Sequence, residues 1–222
     1  MSGYLVGRSS TGRDNTASVT DDGALKVDIG SATLSVTADG VEIKNDVGNP
    51  VPVDDGGSSI TVDGKAYRST VSFARPSNTT AYSAGDVIGA TGSAIHTLAS
   101  AGPSGGLVLV QGVELLIGAT SVPAGMGSFR VHLYSASPTA IADNAAFDLV
   151  SGDRAAYLGY IDLGTPQDLG STIYSQTEYV GRLIELASAS TTLYAQLETR
   201  NGFTPASGTT YELRVNTLEA GL

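Results

Sequence analysis

The residues able to do chemistry are few and far apart. "GPSGG" at 102–106 places Ser104 in the pattern G-x-S-x-G. A hydrolase nucleophile in that pattern needs a strand before the serine and a helix after it. Here a Gly/Pro stretch is followed by the strand-like run "GLVLVQGVELLIG", so a plain turn is expected. The two histidines are His96 in "SAIHTL" and His132 in "SFRVHLYS". A catalytic triad needs His beside a nucleophile and a carboxylate, and neither histidine has the H-E-x-x-H spacing of a zinc site. His132 falls on the polar side of an alternating stretch and reads as a solvated sheet residue. His96 reads as structural. Asp21 with Asp22, and Asp54 with Asp55, precede Gly. Calcium loops use such residues, but the closing Glu of the EF-hand pattern is missing, so acidic turn formers are expected. Asp143, Asp148 and Asp153 match no loop template and read as caps or solvated acids. No Gly precedes Lys-Ser or Lys-Thr, so there is no phosphate loop. "NTT" at 78–80 is a glycosylation sequon, which matters only in a secretory pathway. Tyrosines between Tyr67 and Tyr211 could gather into a sugar platform, but core and rim packing is the expectation. The chain is expected to be no enzyme and to need no metal or cofactor.

The composition fits that reading. The chain has 222 residues, 41% of them hydrophobic, 6% aromatic and 15% charged, with 28 Gly and no Trp. Polar surface must come largely from Ser, Thr and Gly, as in a turn-rich β protein. The formal net charge is −10. An acidic chain lacks the basic footprint of nucleic-acid binding and is ill suited to anionic membranes. It has no Cys, which excludes disulfides, thiolate nucleophiles and zinc-thiolate sites. "MSGYLVGRSSTGRDN" has no apolar stretch of the kind a secretory leader carries. No run approaches the roughly 20 apolar residues of a membrane span. A soluble protein made in the cytosol is expected.

Two regions differ in side-chain bulk. Residues 1–65 read as an arm of short alternating pieces: "LKVDI", "TLSVT", "VEIK", "VPV" and "SITV". Turn signals such as "DDG", "ADG" and "GNP" separate them. Alternation gathers Leu25, Val27, Ile29, Leu34, Val36, Val41, Ile43 and Val47 onto apolar faces. These pieces carry small side chains and bury too little to offset backbone ordering of about 1–2 kcal/mol per residue. They are expected to lie on another surface. From Tyr67 onward Tyr, Phe and Leu recur. Strands are expected near 67–74, 85–89, 94–98, 106–118, 128–135, 157–163, 178–187, 191–199 and 210–218. The run at 106–118 reads as apolar on both faces, as in a central strand. A short helical piece is expected within 143–157, capped by Asp143 or Asp153. The fold class is all-β: a jelly-roll-like β-sandwich over 66–222 with an extended N-terminal arm.

Several strings resemble structural proteins of tailed-bacteriophage virions: "FARPSNTTAYSAGDVIG", "VHLYSASPTAIADNAAFDL", "YLGYIDL" and "LYAQLETRNGFTPASGTTYELRV". "VEIKNDVGNPVPV" is similar to N-terminal segments of such proteins. The resemblance covers most of the chain and carries no catalytic residues. It implies a head decoration (cement) protein or a tail-associated protein, on the virion and made in the host cytoplasm. The implied partners are the major capsid protein or other virion proteins and further copies of the chain, a trimer being one such form. The arm would then add strands to open edges of its partners, with Leu25, Val27, Ile29, Leu34, Val36, Val41, Ile43 and Val47 as the contact residues. A receptor- or glycan-binding module of a fibre is the alternative.

Overall fold

The computed structural model describes residues 65–220, together with the backbone of three N-terminal strands. The chain divides into two units, Met1–Ser59 and Ile60–Leu222. In the first unit β1 (Leu5–Arg8), β2 (Asp14–Val19) and β3 (Leu25–Val27) form an antiparallel sheet in the order β1-β2-β3. Leu25 and Val27 thus lie on β3. Ile29, Leu34, Val36, Val41, Ile43 and Val47 lie outside the described residues, as do the pieces "TLSVT", "VEIK", "VPV" and "SITV". β1 and β2 are strands that the hydrophobic pattern did not announce. β2, "DNTASV", has too few apolar residues to show an alternation.

The second unit is built from β4 (Ala66–Ala74), β5 (Val87–Ile88), β6 (His96–Leu98), β7 (Leu107–Ile117), β8 (Phe129–Tyr134), β9 (Tyr157–Asp162), β10 (Gln167–Asp168), β11 (Ile173–Glu185), β12 (Leu193–Thr199) and β13 (Thr210–Glu219). One sheet has the order β10-β11-β7-β13-β4. The other has the order β5-β12-β8-β9, and β6 also pairs with β12. With β5 and β6 as two pieces of one strand position, the chain passes from sheet to sheet at nearly every connection. This is the jelly-roll winding, and the sequence-level fold class holds. Pairing is antiparallel throughout.

The core lies between the two sheets. Val113, Leu115, Ile117, Leu213, Val215 and Ile173 of the first sheet meet Phe129, Val131, Leu133, Leu193, Ala195 and Leu197 of the second, all buried. Each such side chain contributes about 1.5–3 kcal/mol on full burial. These positions are spaced by two, as a half-buried strand requires.

β7 is the informative exception. Val108 and Val110 face inward, and so do Val113, Leu115 and Ile117. The parity changes at Gln111–Gly112, where β7 slips against both neighbours. Opposite this step β11 carries the extra residues Tyr179, Val180 and Gly181 between the pairs Glu178↔Gly112 and Arg182↔Val110. The apparent two-faced apolarity of 106–118 is therefore one buried face whose phase shifts at a β-bulge.

The expected helical piece is a single 3-10 turn, Ser151–Asp153, with no side-chain cap at Val150. Neither acid caps it. Asp153 accepts bonds from the Thr139 N–H (2.8 Å) and hydroxyl (3.2 Å), and Asp143 serves a buried cluster described below. Gly159 is fixed by two constraints: its φ is +98°, and a Cβ there would meet Arg182 Nη1 at 2.3 Å. That guanidinium crosses from β11 to donate to the Leu158 carbonyl (3.1 Å). Among the described residues no helix is long and apolar enough to cross a membrane.

Candidate functional site

Ser104 stands in a turn closed by a Gly106 N–H···O=C Pro103 bond of 3.1 Å, with β7 following. No helix follows it, so it is not placed as a nucleophile elbow. Asp21, Asp22, Asp54 and Asp55 lie outside the described residues. Among the described residues no group of three or more His, Asp or Glu could hold a metal ion.

His132 is buried (3% exposed), not solvated. It does lie on the outer side of its sheet, but the segment 136–156 lays itself over that side. The Phe147 ring stacks on the imidazole at 3.7 Å, and the Thr139 carbonyl accepts a bond from Gln196 (3.1 Å). His132 Nε2 donates to Glu198 Oε2 at 2.7 Å, and Nδ1 accepts from the Tyr157 hydroxyl at 3.0 Å. Glu198 also accepts from Arg200 (2.6 Å). Burial lowers the His132 pKa, and the adjoining carboxylate only partly opposes this. Period-two patterning shows on which side a residue falls. It does not show that a distant loop will cover that side.

His96 is buried as well. It stacks on Phe73 (4.1 Å) and donates to the Ile88 carbonyl (3.0 Å). Burial brings its pKa down to about 4. The two imidazoles pack between strands and loops, His132 bonded through both nitrogens and His96 through Nε2.

A third polar cluster joins three loops. The Arg75 side chain is fully buried and Asp143 nearly so, 3.6 Å apart. Arg75 Nε donates to the Tyr82 hydroxyl (3.0 Å), Nη2 to Asn78 Oδ1 (2.9 Å), and Nη1 to the carbonyls of Asn78 and Ala206. Asp143 Oδ1 accepts from the Tyr82 hydroxyl (2.6 Å) and the Gly89 N–H (3.0 Å). Burial and the bond to Asp143 push the Tyr82 pKa up. Nothing in the local sequence pairs residues 75 and 143, so this cluster was not legible there.

Beside it, at one end of the sandwich, is a cavity of about 470 Å³ lined by loops 117–126 and 203–211, including Met126, Phe203, Thr209 and Tyr211. The buried Tyr211 hydroxyl has no hydrogen-bond partner among the described residues, and burial raises its pKa. The tyrosines do not assemble into an open platform. Tyr134 and Tyr157 pack together (5.2 Å between rings) beside His132. Tyr160, on the neighbouring strand, is exposed, with the Arg130 guanidinium over its ring at 3.7 Å.

The outer face of the β10-β11-β7-β13-β4 sheet has no other described segment laid over it. Its middle is a charge network around Glu114. Arg68 donates to both carboxylate oxygens (3.0 and 2.9 Å), and Asn216 (2.8 Å) and Arg214 (3.4 Å) complete it. Burial raises the Glu114 pKa, but the Asn216 bond and the Arg68 charge outweigh it and hold the carboxyl below its ordinary value. Past the bulge the face turns apolar. Leu183, Leu109, Leu218 and Ala66 stand in register across four strands. Tyr179 projects from the bulge, 88% exposed at φ +55°. A left-handed backbone costs a non-Gly residue roughly 1–2 kcal/mol, and this ring gains little burial in return. Tyr179→Gly is expected to raise stability by roughly 0.5–1 kcal/mol in urea unfolding. A loss of stability would show that the ring is packed.

No family model and no curated protein matches the chain. Solved structures similar to it include an Israeli acute paralysis virus full particle (14% identity, covering 88% of this chain and 94% of that chain, TM-score 0.27). Mud Crab Dicistrovirus (8%, 86% and 87%, TM-score 0.22) and Triatoma Virus (15%, 86% and 84%, TM-score 0.20) are others. At these TM-scores the likeness carries no argument about role.

Proposed function

We propose that the chain is a structural protein of a bacteriophage virion, a capsid decoration protein that binds the head surface through its N-terminal segment. One structural observation supports this best. Among the described residues, buried Arg, Asp, Glu and His side chains are spent on cross-links within the fold: Arg75 with Asp143, His132 with Glu198, and His96 with the Ile88 carbonyl. Such a domain is built for stiffness, which a cement protein needs. The resemblance of its strings to virion proteins supplies the setting. The partners would be the major capsid protein or other virion proteins.

Deletion of residues 1–60 is expected to abolish particle binding and leave the jelly roll folded. Leu25, Val27, Ile29, Leu34, Val36, Val41, Ile43 and Val47 would carry the contact through their apolar faces, several weak strand additions acting in series. Co-sedimentation with heads and circular dichroism of the truncated chain check this. Full decoration by the truncated protein would move the anchor to the jelly roll.

The cavity beside the unpartnered Tyr211 hydroxyl favours a second reading, a receptor- or glycan-binding module of a fibre. Glycan-array binding together with few copies per virion would select it. Many copies on tail-less heads would select decoration.

A further inference from the structure

β4 is the edge of its sheet, and its open side is regular and self-complementary. It pairs with β13 over its whole length, Ala66↔Leu218 to Ala74↔Thr210. The Arg75 N–H bonds to the Thr209 carbonyl, and the Glu219 N–H to the Lys65 carbonyl. In an antiparallel ladder, odd-numbered residues of β4 therefore direct their backbone groups to β13. The backbone groups of Ala66, Arg68, Thr70, Ser72 and Ala74 point away, and no hydrogen bond among the described residues reaches them. Edges are ordinarily blunted by Pro, Lys, bulges or brevity. β4 is "AYRSTVSFA", with none of these.

We propose that two copies of this chain join by antiparallel β4–β4 pairing about a two-fold axis at Thr70, which makes one continuous sheet. In that register the outward residues meet as Ala66 with Ala74, Arg68 with Ser72, and Thr70 with its own copy. β4 holds one charged residue, Arg68, and no like charge stands opposite it. Ser72 is bonded to Glu212 (3.4 Å), so the pairing brings each Arg68 toward the other copy's Glu212. On the inner side Tyr67 meets Phe73 and Ser69 meets Val71. Tyr67, Val71 and Phe73 are left half-buried in the single chain, and the second copy covers them. Shifting the register by two residues loses both aromatic pairs. An isologous contact of this kind closes at two copies.

The test uses the full chain. The protein has no Cys, so Thr70→Cys introduces its sole thiol. Opposed residues in a hydrogen-bonded pair lie about 5.5 Å apart at Cα, within disulfide reach. Mild oxidation is expected to give a cross-linked dimer. Asp168→Cys, on the opposite edge strand β10, is expected to stay uncross-linked. Sedimentation should show a species of twice the 22.5 kDa chain mass. Thr70→Lys sets like charges face to face, and Thr70→Pro removes an outward N–H while sparing the β13 ladder. Both should weaken dimerisation at least tenfold with far-ultraviolet circular dichroism unchanged. A monomer at all concentrations overturns the proposal. So does an oligomer that survives Thr70→Lys, or dimerisation that appears only after residues 1–64 are removed, which would mean that the chain's own N-terminal segment occupies the edge.

Discussion

Arg75→Ala is expected to cost about 3–5 kcal/mol of folding stability, because it strands Asp143 as a buried, unpaired charge. The guanidinium also donates to Tyr82, Asn78 and the Ala206 carbonyl, so several acceptors lose their donor together. The pair itself is a separate matter. Replacing both partners by apolar groups removes the desolvation penalty along with the attraction. Arg75→Met with Asp143→Leu should therefore recover a substantial part of the loss. A double-mutant cycle in guanidinium unfolding measures this. Equal destabilisation by the single and double variants would mean that the hydrogen bonds to Tyr82 and the loop carbonyls matter more than the charge pairing.

Acid should unfold this protein earlier than its carboxylates alone would dictate. In the unfolded chain an imidazole has its ordinary pKa of 6.5, and in the fold His96 is held down at about 4. Above pH 6.5 the ring is neutral in both states and carries no penalty. As pH falls below 6.5 the unfolded state takes a proton that the folded state refuses. Stability then declines by up to about 1.4 kcal/mol per pH unit, roughly 3 kcal/mol in all by pH 4. His132, lowered by burial, acts with the same sign. Glu114 and Asp162 are also held below their ordinary values of 4.5 and 3.8. Their stabilisation is complete above those values and is lost only beneath them. The span from pH 6.5 to 4.5 therefore belongs to the histidines. His96→Gln keeps a donor for the Ile88 carbonyl and does not titrate. It should flatten the stability–pH slope in that span, whatever its cost at pH 7. An unchanged slope would show that His96 takes up its proton alike in the folded and unfolded states.

The sandwich was legible because its signal is local. Phe129, Val131 and Leu133, like Leu213 and Val215, alternate with polar residues, and Gly, Pro and Ser mark the ends of strands. What failed depended on partners distant in sequence. The start of β11, "IYSQT", carries polar residues that bond to the end of β9 and the turn after it, Thr177 to the Asp162 carbonyl and Ser175 to the Gly164 carbonyl. It shows no apolar period, so the sequence places the start of this strand at 178, five residues late. Alternation gives the side of the strand on which His132 lies but not its burial, since Phe147 covers it from another part of the chain. The Arg75–Asp143 cluster joins residues that no motif relates. The eight apolar positions of the N-terminal region rest on alternation alone, and six of them lie outside the described residues.

The paired bulge has a use outside the native molecule. At Tyr179–Gly181 β11 already holds surplus residues that β7 does not match, and pairing resumes cleanly at Arg182. Lengthening the chain there is expected to leave the strands on each side and the hydrophobic phase of the core as they are. Exposed irregular positions tolerate added residues better than paired ones do. A peptide spliced after Tyr179 would leave the sheet on its outer face, where Tyr179 is exposed. The jelly roll would become a carrier for epitopes or affinity tags, displayed once on every copy.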